Sequence, residues 1–160
     1  MNFISKEHTR FIKSLIDHKV RFIIVGGYAA IYYGVLRSTG DLDILISNEA
    51  DNGQRLLKAM SKLKLRVPEI SDEEFEKELV LSFGFEPDAI DIINTAPGIV
   101  FDDAFRRART VVISRMKVKM IDIDDLIKNK ESLRRKGERA LLDEFDVKSL
   151  KKIKRRNRSD

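Results

Sequence analysis

The sequence of 160 residues contains no cysteine, no tryptophan, three prolines and two histidines. Without cysteine, it forms neither a disulfide framework nor a thiolate metal site. Because His8 and His18 are the only imidazole groups, we expect any bound metal ion to have oxygen ligands, and we expect both histidines on helix surfaces. The sequence also lacks the Gly-x-Ser-x-Gly motif of serine hydrolases and the Gly-x-x-x-x-Gly-Lys-Ser/Thr motif of P-loop proteins.

Long apolar segments are missing as well. No stretch approaches the roughly 20 apolar residues that a membrane-spanning helix needs. The N-terminus, Met-Asn-Phe-Ile-Ser-Lys-Glu, lacks the apolar core of a secretory signal. We therefore expect a cytoplasmic protein that does not enter a membrane. A length of 160 residues with 42% hydrophobic content predicts a single domain over 1–160.

The net charge of +5 is concentrated near the C-terminus. Residues 128–158 contain 13 Lys and Arg residues against 5 Asp and Glu residues. The densest part is a basic tail over 148–160. Two interpretations are open for this tail. It neutralises nucleic-acid phosphates, or it is a solvated terminal helix, since it has no interleaved aromatic residue.

Apolar periodicity predicts helices that alternate with short strands, as in an α/β (α+β) protein. A capping-box pattern at Ser71 and Glu74 predicts a short helix, and Gly34 is expected to end an earlier one. The predicted helices are about 5–18, 28–33, 49–63, a short helix from 71, 101–108 and a basic helical region from 123 that is broken near 137. The predicted strands are 21–25, 41–47, 79–83, 89–93 and a hairpin of 111–113 with 116–121.

One segment combines a glycine pair with two strand carboxylates. The strand over 21–25 ends at Gly26 and Gly27, where backbone N–H groups can approach a phosphate because no Cβ intervenes and a helix begins. After 13 intervening residues, an Asp-Leu-Asp tripeptide supplies Asp41 and Asp43 on the next strand. Strand alternation places both carboxylates on one face, roughly 6.6 Å apart along the chain. We interpret this segment as a phosphate-and-metal site.

A third carboxylate, Asp91, lies among isoleucines in the predicted strand 89–93. An ionised carboxylate in such surroundings is retained when it is paired, hydrogen-bonded or bound to a metal. If this strand lies beside the strand of Asp41 and Asp43, the three carboxylates can hold two Mg²⁺ ions roughly 3.5 to 4 Å apart. That geometry is used for in-line phosphoryl displacement.

These motifs resemble the DNA polymerase beta superfamily of nucleotidyltransferases, whose signature is hydrophobic-Gly-Gly/Ser, a spacer, then Asp-hydrophobic-Asp/Glu. More narrowly, the chain is similar to small prokaryotic nucleotidyltransferase-like proteins related to the AbiEii toxin and minimal nucleotidyltransferase groups. The resemblance covers about residues 10–150 and implies a nucleotidyltransferase fold, with a mixed central sheet flanked by helices and a basic C-terminal helix. It is carried by Val25-Gly26-Gly27-Tyr28-Ala29, residues 37–44, 90–93 and 123–130.

The resemblance implies roles for the residues that match. Asp41 and Asp43 would ligate two Mg²⁺ ions. Asp91 would complete this metal site and help to activate an attacking hydroxyl. Gly26 and Gly27 would cradle the triphosphate of a nucleoside triphosphate.

The resemblance also implies roles in phosphate binding for three basic or hydroxyl side chains. Arg37 and Thr39 would contact phosphate oxygens, or else brace the loop. Lys130 would approach substrate phosphate, although a lone helix lysine is more often solvated. The relatives continue with an Arg-x-Lys-Asp-x-x-Asp stretch. This chain keeps the spacing in Asp143 and Asp146 but displaces the basic residues, so the resemblance gives no definite role to Arg135, Asp143 or Asp146.

The implied reaction is nucleotidyl transfer, in which an acceptor hydroxyl attacks the α-phosphorus of a nucleoside triphosphate and pyrophosphate leaves. The acceptor is RNA, such as a tRNA end, which the basic tail favours, or a protein hydroxyl. A toxin–antitoxin relationship follows from the same relatives. The alternative is a non-catalytic nucleotide- or nucleic-acid-binding module of the same fold, against which the three carboxylates argue. We expect a homodimer, because 160 residues leave little beyond a catalytic core to cover a substrate.

Overall fold

Strands and helices alternate along the chain, as the apolar periodicity predicts. The computed structural model describes residues 3–159. Its helices are α1 (Lys6–Asp17), α2 (Gly26–Tyr33), α3 (Ala50–Lys62), α4 (Asp72–Glu76), α5 (Phe101–Arg107), α6 (Ile123–Ser132) and α7 (Glu138–Ser159). Its strands are β1 (Phe22–Val25), β2 (Asp41–Ile46), β3 (Val80–Phe83), β4 (Ala89–Ile93), β5 (Arg109–Ile113) and β6 (Met116–Met120).

The strands form one mixed sheet in the order β3-β4-β2-β1-β6-β5. Strand β2 lies near its centre, antiparallel to β1 and parallel to β4. Strand β1 also pairs in parallel with β6, while β3 and β5 form the two edges through antiparallel pairs. The predicted α/β architecture, a mixed sheet flanked by helices, is therefore confirmed.

Local signals set the ends of several elements. The side chain of Ser71 accepts a hydrogen bond from the Glu74 backbone N–H, and the Glu74 carboxylate accepts one from the Ser71 N–H, so the predicted capping box is present. Asp122 caps α6. Gly34 ends α2 with a left-handed φ of 111°. The β5–β6 hairpin turns at 114–115, as predicted, with positive φ at both positions.

The helices pack in two groups. Helix α1 contacts α3, and the Ser14 hydroxyl of α1 donates to the Ala59 carbonyl of α3 at 2.7 Å. Helices α6 and α7 contact each other and α2. The predicted basic tail forms the second half of α7, where Leu150 is fully buried; Asp160 lies outside the described residues. Within 3–159, no helix has the length and apolar character to cross a membrane.

His8 lies in the core rather than on a helix surface, so that expectation is wrong. Its position three and four residues before Phe11 and Ile12 places it on the same buried stripe of α1. The ring packs edge-on against Tyr28 with centroids 5.5 Å apart, and Nε2 donates to the Ala89 carbonyl at 3.0 Å. This hydrogen bond ties α1 to the start of β4.

Candidate functional site

Three carboxylates converge where β2 and β4 lie side by side. Asp43 and Asp91 are register partners in this parallel pair, and Asp41 lies two residues before Asp43. Register partners and residues two apart on a strand point to the same face of the sheet. One carboxylate oxygen from each residue lies within 4.8 Å of the others, and all three side chains are half-buried. The expected convergence of these carboxylates is therefore present.

The three carboxylates are close together without basic partners. Across residues 3–159, no Lys, Arg or His side chain forms an ion pair with any of them, although basic groups lie nearby. Burial, with the charges of Asp41 and Asp91, raises the pKa of Asp43 to about 7. Burial also raises the pKa of Asp41, and its hydrogen bond with Asp91 adds to this. The fully ionised cluster is therefore costly, and a bound cation would relieve that cost.

The glycine pair allows the start of α2 to lie directly against β2. Gly26 has a φ of +67°, and a Cβ there would collide with the Asp43 carboxylate. A Cβ on Gly27 would come within 2.7 Å of the Thr39 hydroxyl and 2.9 Å of the Arg37 guanidinium. The N-cap residue of α2 makes no side-chain cap hydrogen bond. Backbone N–H groups at this helix start can therefore donate hydrogen bonds to an anion beside the carboxylates.

Three basic side chains border the same site, and carboxylates of α7 hold them in place. Arg37 donates from Nε and Nη2 to Asp146 at 2.9 and 3.0 Å. The Lys130 Nζ lies 2.7 Å from Asp146 and 3.8 Å from Asp143. Arg135 donates from Nε to Asp143 at 2.8 Å. Because Asp146 is completely buried, it fixes Arg37 and Lys130 relative to each other.

These groups surround one cleft of about 410 Å³. Its lining includes all eight residues that the sequence singles out, namely Gly26, Gly27, Arg37, Thr39, Asp41, Asp43, Asp91 and Lys130. Arg37 braces its own loop, since Nη1 also donates to the Ser38 carbonyl at 2.8 Å. Lys130 is only 5% exposed, so it is not an ordinary solvated helix lysine. The structure thus brings the predicted residues together. Both predicted cations, Arg37 and Lys130, are paired with Asp146.

The sequence missed several residues of this cleft. Glu86, from the turn between β3 and β4, lines it and fills the space that a Cβ on Gly40 would need. Arg135 lines it from the segment before α7, and Arg139 lines it from the start of α7. An Asp-x-x-Asp spacing on a helix was visible for the α7 carboxylates, but their basic partners lie elsewhere in the chain. No sequence signal marked Glu86, since a turn carboxylate is ordinarily solvated.

Comparison with known proteins adds no family to this description. No protein-family model and no curated protein sequence matches the chain. Function therefore has to be inferred from the cleft itself, which combines three carboxylates without an ion pair among the described residues, an uncapped helix start and three cations held at the rim.

Proposed function

We propose that this chain is a metal-dependent nucleotidyltransferase with a nucleotidyltransferase fold. It moves a nucleoside monophosphate from a nucleoside triphosphate to an acceptor hydroxyl. The observation that carries the proposal is the position of Asp41, Asp43 and Asp91 on adjacent strands, directly beside the Gly26–Gly27 start of α2. Carboxylates for a cation and backbone N–H groups for a phosphate then face one cleft.

The donor set suits Mg²⁺. This ion prefers carboxylate, water and phosphate oxygens, and the cluster offers only carboxylates. Burial and mutual repulsion raise the pKa values of Asp41 and Asp43, and the nearby cations Lys130 and Arg135 offset this only in part for Asp43, which favours a bound cation. When bound, the ions would stabilise the negative charge that develops on the attacking and leaving oxygens.

The basic side chains and the helix start bind the phosphates. Gly26 and Gly27 carry no side chains of their own that would hold a phosphate away from their backbone N–H groups, and the positive end of the helix dipole favours an anion there. Arg37 and Lys130 keep fixed positions because Asp146 holds both. Preorganised charges of this kind orient the triphosphate for in-line attack without paying an ordering cost during the reaction.

We assign to Asp91 the acceptance of the proton from the attacking hydroxyl. Its side chain is half-buried beside Asp43 and lines the cleft, so an acceptor that enters the cleft can reach it. The hydroxyl oxygen forms a bond to the α-phosphorus, the bond to the pyrophosphate oxygen breaks, and pyrophosphate leaves. A base at this position is worth about 100-fold or more in rate.

Label transfer from nucleoside triphosphates tests the proposal. The protein is incubated with each of the four triphosphates, carrying label on either the α- or the γ-phosphate, with Mg²⁺ and with RNA or protein acceptors. We expect transfer of the α-label alone, reduced by about 100-fold or more in Asp91→Asn. Asp51→Asn is the matched control, since Asp51 is exposed on α3 and should leave transfer unchanged.

Three outcomes would contradict the proposal. Transfer of the γ-label indicates a kinase. Transfer that survives in Asp91→Asn shows that the carboxylate cluster is not the reacting site. Metal-dependent binding of triphosphate without transfer to any acceptor leaves a nucleotide-binding module, which is the alternative function of this fold.

A further inference from the structure

A second and larger groove lies beside the cleft, between the end of α6, the connection over 133–137 and the first half of α7. Its volume is about 930 Å³. Lys130 and Arg135 line both the groove and the cleft. The two cavities therefore share a wall, and a molecule lying in the groove reaches side chains that border the carboxylate cluster.

Exposed apolar side chains line this groove. Leu141 and Phe145 lie four residues apart on α7, so they share one face of the helix, and they are 67% and 46% exposed. Leu133 and Val147 line the groove beside them. The ring of Phe145, left partly in water in this groove, offers a surface on which a nucleobase can stack.

Basic side chains outnumber acidic ones in the groove, where six Lys and Arg residues line it against Glu131, Asp143 and Glu144. Arg134, Lys136 and Lys148 line it, and none of the three takes part in an ion pair among the described residues. Lys151 lines it as well, paired with Glu131 at 3.4 Å. Further along α7, exposed basic residues continue to the end of the helix at 152, 155 and 156. A row of cations thus leads along α7 into the groove and towards the cleft.

We propose that this groove binds single-stranded nucleic acid and presents its terminal hydroxyl as the acceptor. The role of the bound strand as acceptor rests on the proposed nucleotidyl transfer. The binding of the strand in the groove does not. Unpaired bases have free faces that stack on Phe145, and their phosphates meet the unpaired cations of the rim. Cations that extend from the groove along α7 suit a polyanion that is charged along its whole length better than an acidic peptide, whose charges are irregular in spacing.

Binding is measured by fluorescence anisotropy with a labelled single-stranded oligonucleotide of about 12 nucleotides, as RNA and as DNA, over a series of salt concentrations. We expect the triple variant Arg134→Ala, Lys136→Ala and Lys148→Ala to bind at least about tenfold more weakly. Its salt dependence, as the log–log slope, should fall by about 2, since each phosphate contact contributes about 0.7. The control removes the exposed Lys58, Lys62 and Lys64 near the end of α3 and should change neither quantity.

A second variant separates stacking from charge. Phe145→Ser should weaken binding by about tenfold and leave the salt slope unchanged, because it removes a ring without removing a cation. Circular dichroism melting of each variant checks that the fold is retained. Weak binding by wild type, equal affinity for a duplex of the same sequence, or equal loss in the α3 control overturns the inference.

The two proposals fail in distinguishable ways. Binding with the expected variant pattern, but without α-label transfer, supports the groove and overturns the enzyme. Transfer to RNA that is unaffected by the groove variants supports the enzyme and overturns the groove. Tighter binding of an acidic peptide than of any oligonucleotide shows that the groove takes a protein partner and overturns the inference.

Discussion

Replacing Asp43 by asparagine should stabilise the metal-free protein while abolishing its stabilisation by Mg²⁺. Burial, with the neighbouring charges of Asp41 and Asp91, raises the pKa of Asp43 from an ordinary 3.8 to about 7. Because the folded value exceeds the unfolded one, the folded state binds more protons between these pH values. This carboxyl therefore has no effect on stability below about pH 4, and destabilises the fold increasingly until about pH 7.

The magnitude follows from the same pKa values. A rise from 3.8 to about 7 corresponds to a cost of about 4 kcal/mol at pH 8, since tenfold in a binding constant is about 1.4 kcal/mol. This is an upper bound, because the amide group that replaces the carboxyl still has to be buried. We expect the variant to gain about 1 to 2 kcal/mol at pH 8. For a chain of this length, that gain raises the melting temperature by about 3 to 6 °C.

Thermal unfolding at pH 5 and pH 8, in a chelator and in Mg²⁺, measures these effects. The stability gap between Asp43→Asn and wild type should be larger at pH 8 than at pH 5. Added Mg²⁺ should raise the melting temperature of wild type at pH 8 and not that of the variant, because a ligand stabilises only a state that binds it. Asp51→Asn, on the exposed surface of α3, should follow wild type in every condition.

A variant that is less stable than wild type at pH 8 in chelator would refute the electrostatic argument. A gap that is the same at both pH values would also refute it, since the carboxyl would then not be the titrating group. Equal stabilisation of both proteins by Mg²⁺ would place the ion elsewhere.

Two further variants, one of them with a matched control, test how the cleft is built. Gly26→Ala should lose Mg²⁺-dependent stabilisation and about 1 to 3 kcal/mol of stability, because its Cβ collides with a carboxylate of β2 and its φ is +67°. Gly137→Ala, at the same φ with open space around it, measures the backbone strain alone. Asp146→Asn should cost about 3 kcal/mol in urea unfolding, because Arg37 and Lys130 lose a buried partner. A cost below about 1 kcal/mol would show that Asp146 does not hold these cations.

The local part of the site was predictable from sequence because its signals are local. A strand that ends in two glycines, an alternating Asp-Leu-Asp and a carboxylate between isoleucines each depend on neighbours within a few residues. The pairing of β2 with β4 was needed to bring Asp91 to Asp43, and the conditional prediction depended on it. The sheet forms that pair, so the convergence follows.

The features that could not be predicted depend on contacts between distant segments. Arg37 and Asp146 are 109 residues apart, and nothing near either residue marks the other as its partner. Lys130 belongs to a helix with charged neighbours, which is typical of a solvated face, yet α7 covers it. His8 was misplaced for a related reason, because a single polar residue on an amphipathic helix gives no sign of whether a carbonyl is available to it in the core.

The charges around the cleft set a condition for the proposed binding of a triphosphate. Six carboxylates against four basic side chains leave a formal charge of −2, which repels a free triphosphate. The carboxylates are Asp41, Asp43, Glu86, Asp91, Asp143 and Asp146, and the basic residues are Arg37, Lys130, Arg135 and Arg139. Two divalent ions reverse the sign, so nucleotide and metal should bind with positive coupling. Calorimetry with a non-hydrolysable triphosphate measures this coupling, and equally tight binding in chelator would contradict it.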